Sequence, residues 1–471
     1  MDKRLTAAAI EAAFGKTGDF GKREIRAGGE TLQLYFIDGL VTGGFVSDYV
    51  LRPLMAALEQ GGGNLLERAL HGAVWNAVCV QVTDFDDAVS KLLNGFAVVL
   101  FPGESALAFE TKTSVNRGPG APEVENTVKG AKDAFNENMR INTGLIRRHM
   151  RSADLQFTQL VVGSKTATNV SVAWVRGMTD PELVEKTVAR LKKLEIDSLA
   201  TPAAVEEYLT GSRKTAFPLL QYTERTDRFV TALLSGRVGI LVDGLPLAYL
   251  APVNLGRLMD SPEDLGRDFV SASAIRVLRY AALIMTLLLP GLYVAVAAFH
   301  QEMIPTALLL SIVESKKDVP FPTIFEVIFL LLAFEILQEA GLQLPQSIGQ
   351  TVSIIGGLVV GTAAVEASLV SPTALIAVSV AGICGFALPG RDFADAIRIW
   401  RLVAALFASI GGLFGLTAAF LLLTARLAGL QSYGASYLAP FSAASGGGAV
   451  LRRRLVTRRG RPEDASREGM P

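Results

Sequence analysis

The chain has 471 residues, with 45 basic and 45 acidic side chains, three histidines and two cysteines. That length holds two or three domains. Cys79 and Cys384 are too far apart in character to pair, and His71, His149 and His300 are too scattered to bind a metal, so neither a disulfide framework nor a metal centre is expected. No cofactor and no nucleic-acid partner is expected either.

In chain order, residues 1–24 read as an N-terminal helix. MDKRLTAAAIEAAFGKTGDF has no apolar core of signal-peptide length, which places the following region on the cytoplasmic side as an expectation. Residues 25–115 and 155–253 then read as two similar small α/β subdomains. LLNGFAVVLFPGESALAF (92–109) aligns without a gap on LLSGRVGILVDGLPLAYL (233–250), matching Leu92 with Leu233, Leu93 with Leu234, Gly95 with Gly236 and Gly103 with Gly244. Each copy reads as a helix end, a Gly stop, a strand, a Gly turn and a second strand. Upstream, LQLYFIDGLV (32–41) and VSVAWVRG (170–177) read as strands, followed by helices at 45–58 and 181–194.

Residues 116–154 form a linker: a Gly/Pro-rich loop and then a helix. Phe135, Met139, Asn142 and Ile146 fall at helical spacing, and Arg147, Arg148 and Arg151 crowd its end, where basic side chains suit the helix dipole. On this reading the basic end is either a solvated face or an assembly contact, with Asn142, Arg147 and Arg148 as the candidate contact residues.

After a connector at 254–279, charge nearly disappears. Residues 280–426 read as a transmembrane helical bundle of about four to six membrane segments. YAALIMTLLLPGLYVAVAAF (280–299) and LVAALFASIGGLFGLTAAFLLLTA (402–425) are each long enough to cross a bilayer as a helix. The segments 321–341, 348–367 and 369–389 complete the set, and IPTALLLSIV (304–313) is short enough to be re-entrant or interfacial. The tail at 427–471 carries seven arginines from Arg452 onward. Such a cluster is read as a disordered basic tail on the cytoplasmic side, which makes the number of crossings even.

Two features inside the apolar region stand out. The apolar run 321–341 carries Glu326, Glu335 and Glu339, and of these Glu326 and Glu335 are the candidates for function, because a charged group in mid-membrane costs at least ~2.5–3.5 kcal/mol and normally faces a polar interior, a pore or a partner. Nine residues separate them, which puts them on opposite sides of a helix. Gly357 and Gly361 form a G-x-x-x-G pair, as do Gly411 and Gly415. That spacing serves close helix packing, and a helix as rich in small residues as 348–367 also suits the lining of a narrow pore. No enzyme is expected: GSKTATNV (163–170) lacks the Gly spacing of a phosphate loop, and no nucleophile elbow or His-bearing metal motif occurs.

Longer stretches carry a resemblance. EVENTVKGAKDAFNENMRINTGLIRRHM (123–150), YTERTDRFVTALLSGRVGILVDGLPLAYLAP (222–252), FHQEMIPTALL (299–309), VPFPTIFEVIFLLLAFEILQEAGLQLPQSIG (319–349) and SIIGGLVVGTAAVEASLVSP (353–372) resemble the A subunits of bacterial spore nutrient germinant receptors, the GerA family. The chain departs from the family pattern at Thr226, where Pro is usual, at His149, where Arg is usual, and at Ala131-Lys132, where Pro-Arg is common.

The resemblance implies a protein of the spore inner membrane. Its partners would be a transporter-like B subunit that senses nutrient and a lipoprotein C subunit. It implies oligomerisation of the A subunit itself into a nutrient-gated ion channel. A path lined by Gly357 and Gly361, with Glu326 or Glu335 supplying negative charge, is the expected ion route. A non-conducting membrane scaffold that docks partners through its head is the alternative.

Overall fold

The structure is a computed structural model. It describes residues 4–441 apart from 16, 28–29, 61–64, 75, 104, 113–119, 200, 212–214, 344–356, 358 and 440. The Arg-rich tail and the first part of the 348–367 segment lie outside the described residues. The chain divides into two compact units, a head up to Pro252 and a helical unit from Val253 that also takes in Lys214–Pro218.

The head is built from two sheets. The first holds β1 (Phe20–Ala27), β2 (Glu30–Ile37), β3 (Cys79–Val82), β4 (Phe96–Phe101) and β5 (Ser105–Glu110) in the order β1-β2-β4-β5-β3. The second holds β6 (Leu155–Val162), β7 (Thr168–Val175), β8 (Gln221–Thr223), β9 (Val238–Val242) and β10 (Ala248–Ala251) in the order β6-β7-β9-β10-β8. Position for position the two orders are the same. The gapless sequence match falls on the β4–β5 and β9–β10 hairpins, each preceded by a helix, Phe85–Leu93 and Thr226–Leu234.

FAVVLF in β4 shows no polar alternation because both of its faces are covered. Ala97, Val99 and Phe101 pack on the side of Val50, Leu54 and Leu58, while Phe96 and Val98 pack on the side of Ile10, Phe14 and Leu92. The expectation of a helix over 1–24 is corrected: the helix is Ala7–Phe14, and β1 begins at Phe20. Lys22, Arg23, Glu24 and Arg26 hide β1 from a hydrophobicity reading, since they belong to an edge strand paired only with β2.

In the helical unit, helix Phe269–Phe299 starts eleven residues before the expected 280. Its polar first turns belong to the helix because their charges are matched. Asp268 caps Val270 and Ser271 N–H groups, Arg276 pairs with Asp260 at 2.9 Å, and Arg279 grips Asp264 at 2.6 and 2.8 Å. Helix Pro372–Phe386 runs antiparallel to it: Tyr293 Oη meets Thr373 Oγ1 at 2.8 Å, and Thr286 donates to the Ala381 carbonyl at 3.1 Å. The expected short piece is helix Thr306–Lys316.

The segment Arg391–Ala428 is not one straight rod. Gly411 (φ −126°, ψ 15°) and Gly412 (φ 57°, ψ −136°) leave the helical region, and the chain reverses there. A straight helix would hold residues 407 and 415 about 12 Å apart, yet a Cβ on Gly415 would stand 2.0 Å from the Phe407 carbonyl oxygen. Gly291 touches both arms: a Cβ there would meet Ala404 O at 3.2 Å and Leu416 Cδ1 at 2.8 Å, residues that a straight helix separates by about 18 Å. The single span expected over 402–425 is thereby corrected to a helical hairpin whose tip is Gly411-Gly412.

Two described helices are long and apolar enough to cross a membrane by composition, Phe269–Phe299 and Arg391–Ala428 taken as one run; the reversal at Gly411-Gly412 divides the second. The end of Phe269–Phe299 lies at the hairpin tip, where a Cβ on Gly412 would stand 2.9 Å from both Phe299 Cβ and His300 Nε2. At the opposite end, the chain leaving the hairpin returns to the connector. Val253 N donates to Ser432 Oγ at 3.0 Å, Leu255 N to Tyr437 O at 2.8 Å and Gly256 N to Ala439 O at 3.0 Å.

Candidate functional site

Glu326 sits in the first turn of helix Thr323–Gln343, and its side chain is fully buried. One carboxylate oxygen, Oε2, accepts from Ser371 N at 2.9 Å and Ser371 Oγ at 2.7 Å. Ser371 is the N-cap of helix Pro372–Phe386, so the carboxylate rests where the helix dipole favours an anion. The other oxygen, Oε1, faces the Lys316 ammonium at 2.9 Å. Lys316 also donates to Thr323 Oγ1.

Glu335 goes elsewhere, as the nine-residue spacing implies. Its Oε1 accepts from Arg401 Nη2 at 2.6 Å, and Oε2 lies 3.6 Å from Arg398 Nη1. Arg401 is almost wholly buried on the first arm of the hairpin. The two glutamates are therefore not brought together, and each faces a cation from its own chain. Sequence spacing located the carboxylates but carried no signal for Lys316 or Arg401 as their partners.

Among the described residues, a Cβ on Gly357 would meet no atom within 4 Å, and one on Gly361 only Leu375 Cδ2 at 3.9 Å. Among the described residues, this G-x-x-x-G pair is not spent on close packing within the chain. Gly411 and Gly415 behave differently, because they belong to the hairpin reversal.

In the head, helix Met139–His149 packs as a core element rather than a solvated linker. Asn142 is buried and closes a loop: its Oδ1 accepts from Asn136 N at 2.9 Å and its Nδ2 donates to Asn136 O at 2.6 Å. Arg147 is 1% exposed and holds Asp19 through Nε at 2.8 Å and Nη2 at 3.0 Å, with Nη1 on Ser152 O at 2.9 Å. Of the three candidate assembly residues, only Arg148 is exposed.

The three departures from the family pattern noted above are neighbours in space. Asp133 Oδ2 accepts from Thr226 Oγ1 at 2.6 Å and meets His149 Nε2 at 2.6 Å, next in sequence to Lys132. The Asp133 hydrogen bond, outweighing burial, holds the His149 pKa above its ordinary value. Burial pushes Asp133 upward, but the hydrogen bonds from His149 and Thr226 and the imidazolium charge together bring it down to about 2. A few residues away, buried Arg225 grips Asp227 and donates to Thr127 Oγ1 and to the Glu125 and Ala131 carbonyls. The strap at 123–135, which carries Glu123, Glu125 and Asp133, is thus fixed on the start of helix Thr226–Leu234.

The whole defines a class: an α/β head of two like-ordered sheets joined to an apolar helical unit with charge pairs locked inside it. The family model described as Bacillus/Clostridium GerA spore germination protein matches residues 8–464. The chain is 36% identical over 411 residues to the uncharacterised membrane protein YfkQ of Bacillus subtilis (strain 168), covering 87% of this chain and 80% of that one. It is 33% identical over 416 residues to spore germination protein B1 of the same organism, covering 88% and 86%. The crystal structure of the N-terminal domain of the A subunit of the Bacillus megaterium spore germinant receptor GerK3 aligns with 54% of this chain and 96% of that domain, at 23% identity and a TM-score of 0.41. The chain belongs to the GerA family of spore germination proteins.

Proposed function

We propose that this protein is the channel-forming subunit of a nutrient receptor in the spore inner membrane, and that copies of it assemble around the 348–367 segment into a cation path whose opening starts germination. The observation that carries the reading is the open face at Gly357 and Gly361. Glycines that bring no described residue close leave a narrow, small-residue surface, and repetition of one such face about a symmetry axis closes a pore. A transporter-like B subunit and a lipoprotein C subunit are the partners of this assembly, with nutrient sensed by the B subunit.

The same reading places the head and the Arg-rich tail together on the core side of that membrane. The hydrogen bonds between 253–256 and 432–439 support it, since the chain enters and leaves the helical unit at one end. Six crossings then fit: 269–299, 323–343, 348–367, 372–386 and the two arms 391–410 and 413–428, with 306–316 at the opposite surface.

A second reading, a scaffold that docks partners and conducts nothing, is favoured by one observation. Glu326 and Glu335 are both neutralised within the chain. Ion flux through the purified protein in liposomes, with and without its partners, separates the two. Cation flux that Gly361→Leu abolishes at unchanged protein abundance is the expected result; absence of flux in every combination overturns the channel.

A further inference from the structure

We propose that Glu326 and Thr323 form a binding site for a monovalent alkali cation, and that the Lys316 ammonium occupies that site as a tethered, displaceable substitute. The inference deepens the ion-path reading and rests on it for its place in germination, while binding itself is measurable without any flux.

The argument begins with what the carboxylate needs. A buried anion without a partner is strongly disfavoured, but Glu326 is held independently of the lysine. Its Oε2 takes two hydrogen bonds from Ser371, at 2.9 and 2.7 Å, at the positive end of helix Pro372–Phe386. Only Oε1 is turned to Lys316, at 2.9 Å. The carboxylate is therefore pre-positioned, with one oxygen aimed at a cation, and the Thr323 hydroxyl oxygen lies against the same ammonium. A primary ammonium and a potassium-sized ion make similar demands on such a pair: unit positive charge, oxygen ligands and a partly hydrated outer side.

The lysine itself is not built in. The Glu326 side chain is 0% exposed and that of Lys316 21%, so of this pair only the lysine reaches the surface. Lys316 ends helix Thr306–Lys316, in which Ile312 is the one buried residue and Leu308, Leu310 and Val313 are exposed. None of its residues belongs to the core around Val327, Leu330 and Leu331. The other intramembrane pair is built the opposite way: Arg401 is buried on the hairpin and fixed to Glu335 at 2.6 Å. One pair is a fixed brace and the other a removable one.

The test uses the full-length protein, purified in detergent. Its thermal midpoint is followed as KCl or NaCl replaces choline chloride at constant ionic strength, for wild type, Lys316→Met and the double variant Lys316→Met/Glu326→Gln. A ligand that binds only the native state raises the midpoint in proportion to the logarithm of its concentration above Kd. The expected result is an alkali-cation-dependent rise in Lys316→Met, linear in the logarithm of concentration above Kd, a rise that begins only at higher concentration in wild type, where the ammonium must first be displaced, and none in the double variant. A flat Lys316→Met overturns the site and leaves the pair a structural latch. Lys316→Met that is unrecoverable at every salt concentration, while the double variant folds, overturns it equally, because a free cation then fails to replace the ammonium. Cation binding by Lys316→Met without liposome flux in any variant would retain the site and remove the channel.

Discussion

The guanidinium of Arg147 and the carboxylate of Asp19 meet through two hydrogen bonds, at 2.8 and 3.0 Å, across 128 residues of chain. Asp19 also takes the Thr17 hydroxyl at 2.6 Å, and that hydroxyl accepts from Phe157 N in β6 at 2.9 Å. The turn before β1 is thereby fixed to the second sheet, and the helix between the two copies is the seam of the head. Breaking a buried pair from one side leaves an uncompensated charge and costs about 3–5 kcal/mol. Arg147→Gln is expected to lower head stability by that order, measured by denaturant unfolding of the full chain. Arg148→Gln is expected to leave stability unchanged and to lower complex yield on native gels if the exposed arginine contacts a neighbour. Equal effects of the two substitutions would contradict the separation.

The duplicated hairpins give a paired prediction. Gly103 has φ +91° and Gly244 φ +87°, and among the described residues no atom lies within 4 Å of a would-be Cβ at either. The cost of a side chain there is conformational rather than steric, about 1–2 kcal/mol for the left-handed region. Gly103→Val and Gly244→Val should therefore destabilise the head to a similar extent, while Asn at either position should be milder. Thermal unfolding of the four variants checks it, and a loss in one copy alone would break the equivalence.

The Asp133–His149–Thr226 cluster predicts a pH profile. His149 binds its proton more tightly when folded than its ordinary 6.5, so its contribution is complete below 6.5 and fades as pH rises through the raised folded value. Asp133, lowered from 3.8 to about 2, contributes above 3.8 and loses that contribution as pH falls toward 2. Wild type should thus lose stability relative to His149→Gln as pH rises above 6.5. Melting curves of both proteins across pH 6 to 9 test this, and parallel curves would exclude it.

Glu335→Gln is expected to deplete the protein from membranes, because it leaves Arg401 buried with a neutral partner. Glu335→Gln combined with Arg401→Met removes both charges and should restore much of the abundance. Immunoblots of membrane fractions read the outcome; no rescue by the double variant would mean that the pair does more than neutralise charge.

The sequence by itself determined the division into a charged head and an apolar helical unit, the two hairpins of the head and the position of the carboxylates within the apolar region. These are local quantities: hydropathy runs, Gly turns at fixed offsets and a period of 3.6. The edge strands β1 and β6 were not legible, because edge positions carry charge or polar residues and owe their pairing to neighbours. Gly411-Gly412 was visible as small residues but not as a reversal, since the same glycines serve close packing or a turn, and only the contacts of Gly291 with both arms decide which. Whether Arg147 faces solvent or Asp19, and whether Glu326 stands bare or against Lys316, was likewise decided by tertiary structure. A charge in sequence fixes what it can pair with, and the partner is whichever opposite charge the packing of distant elements brings within about 3 Å.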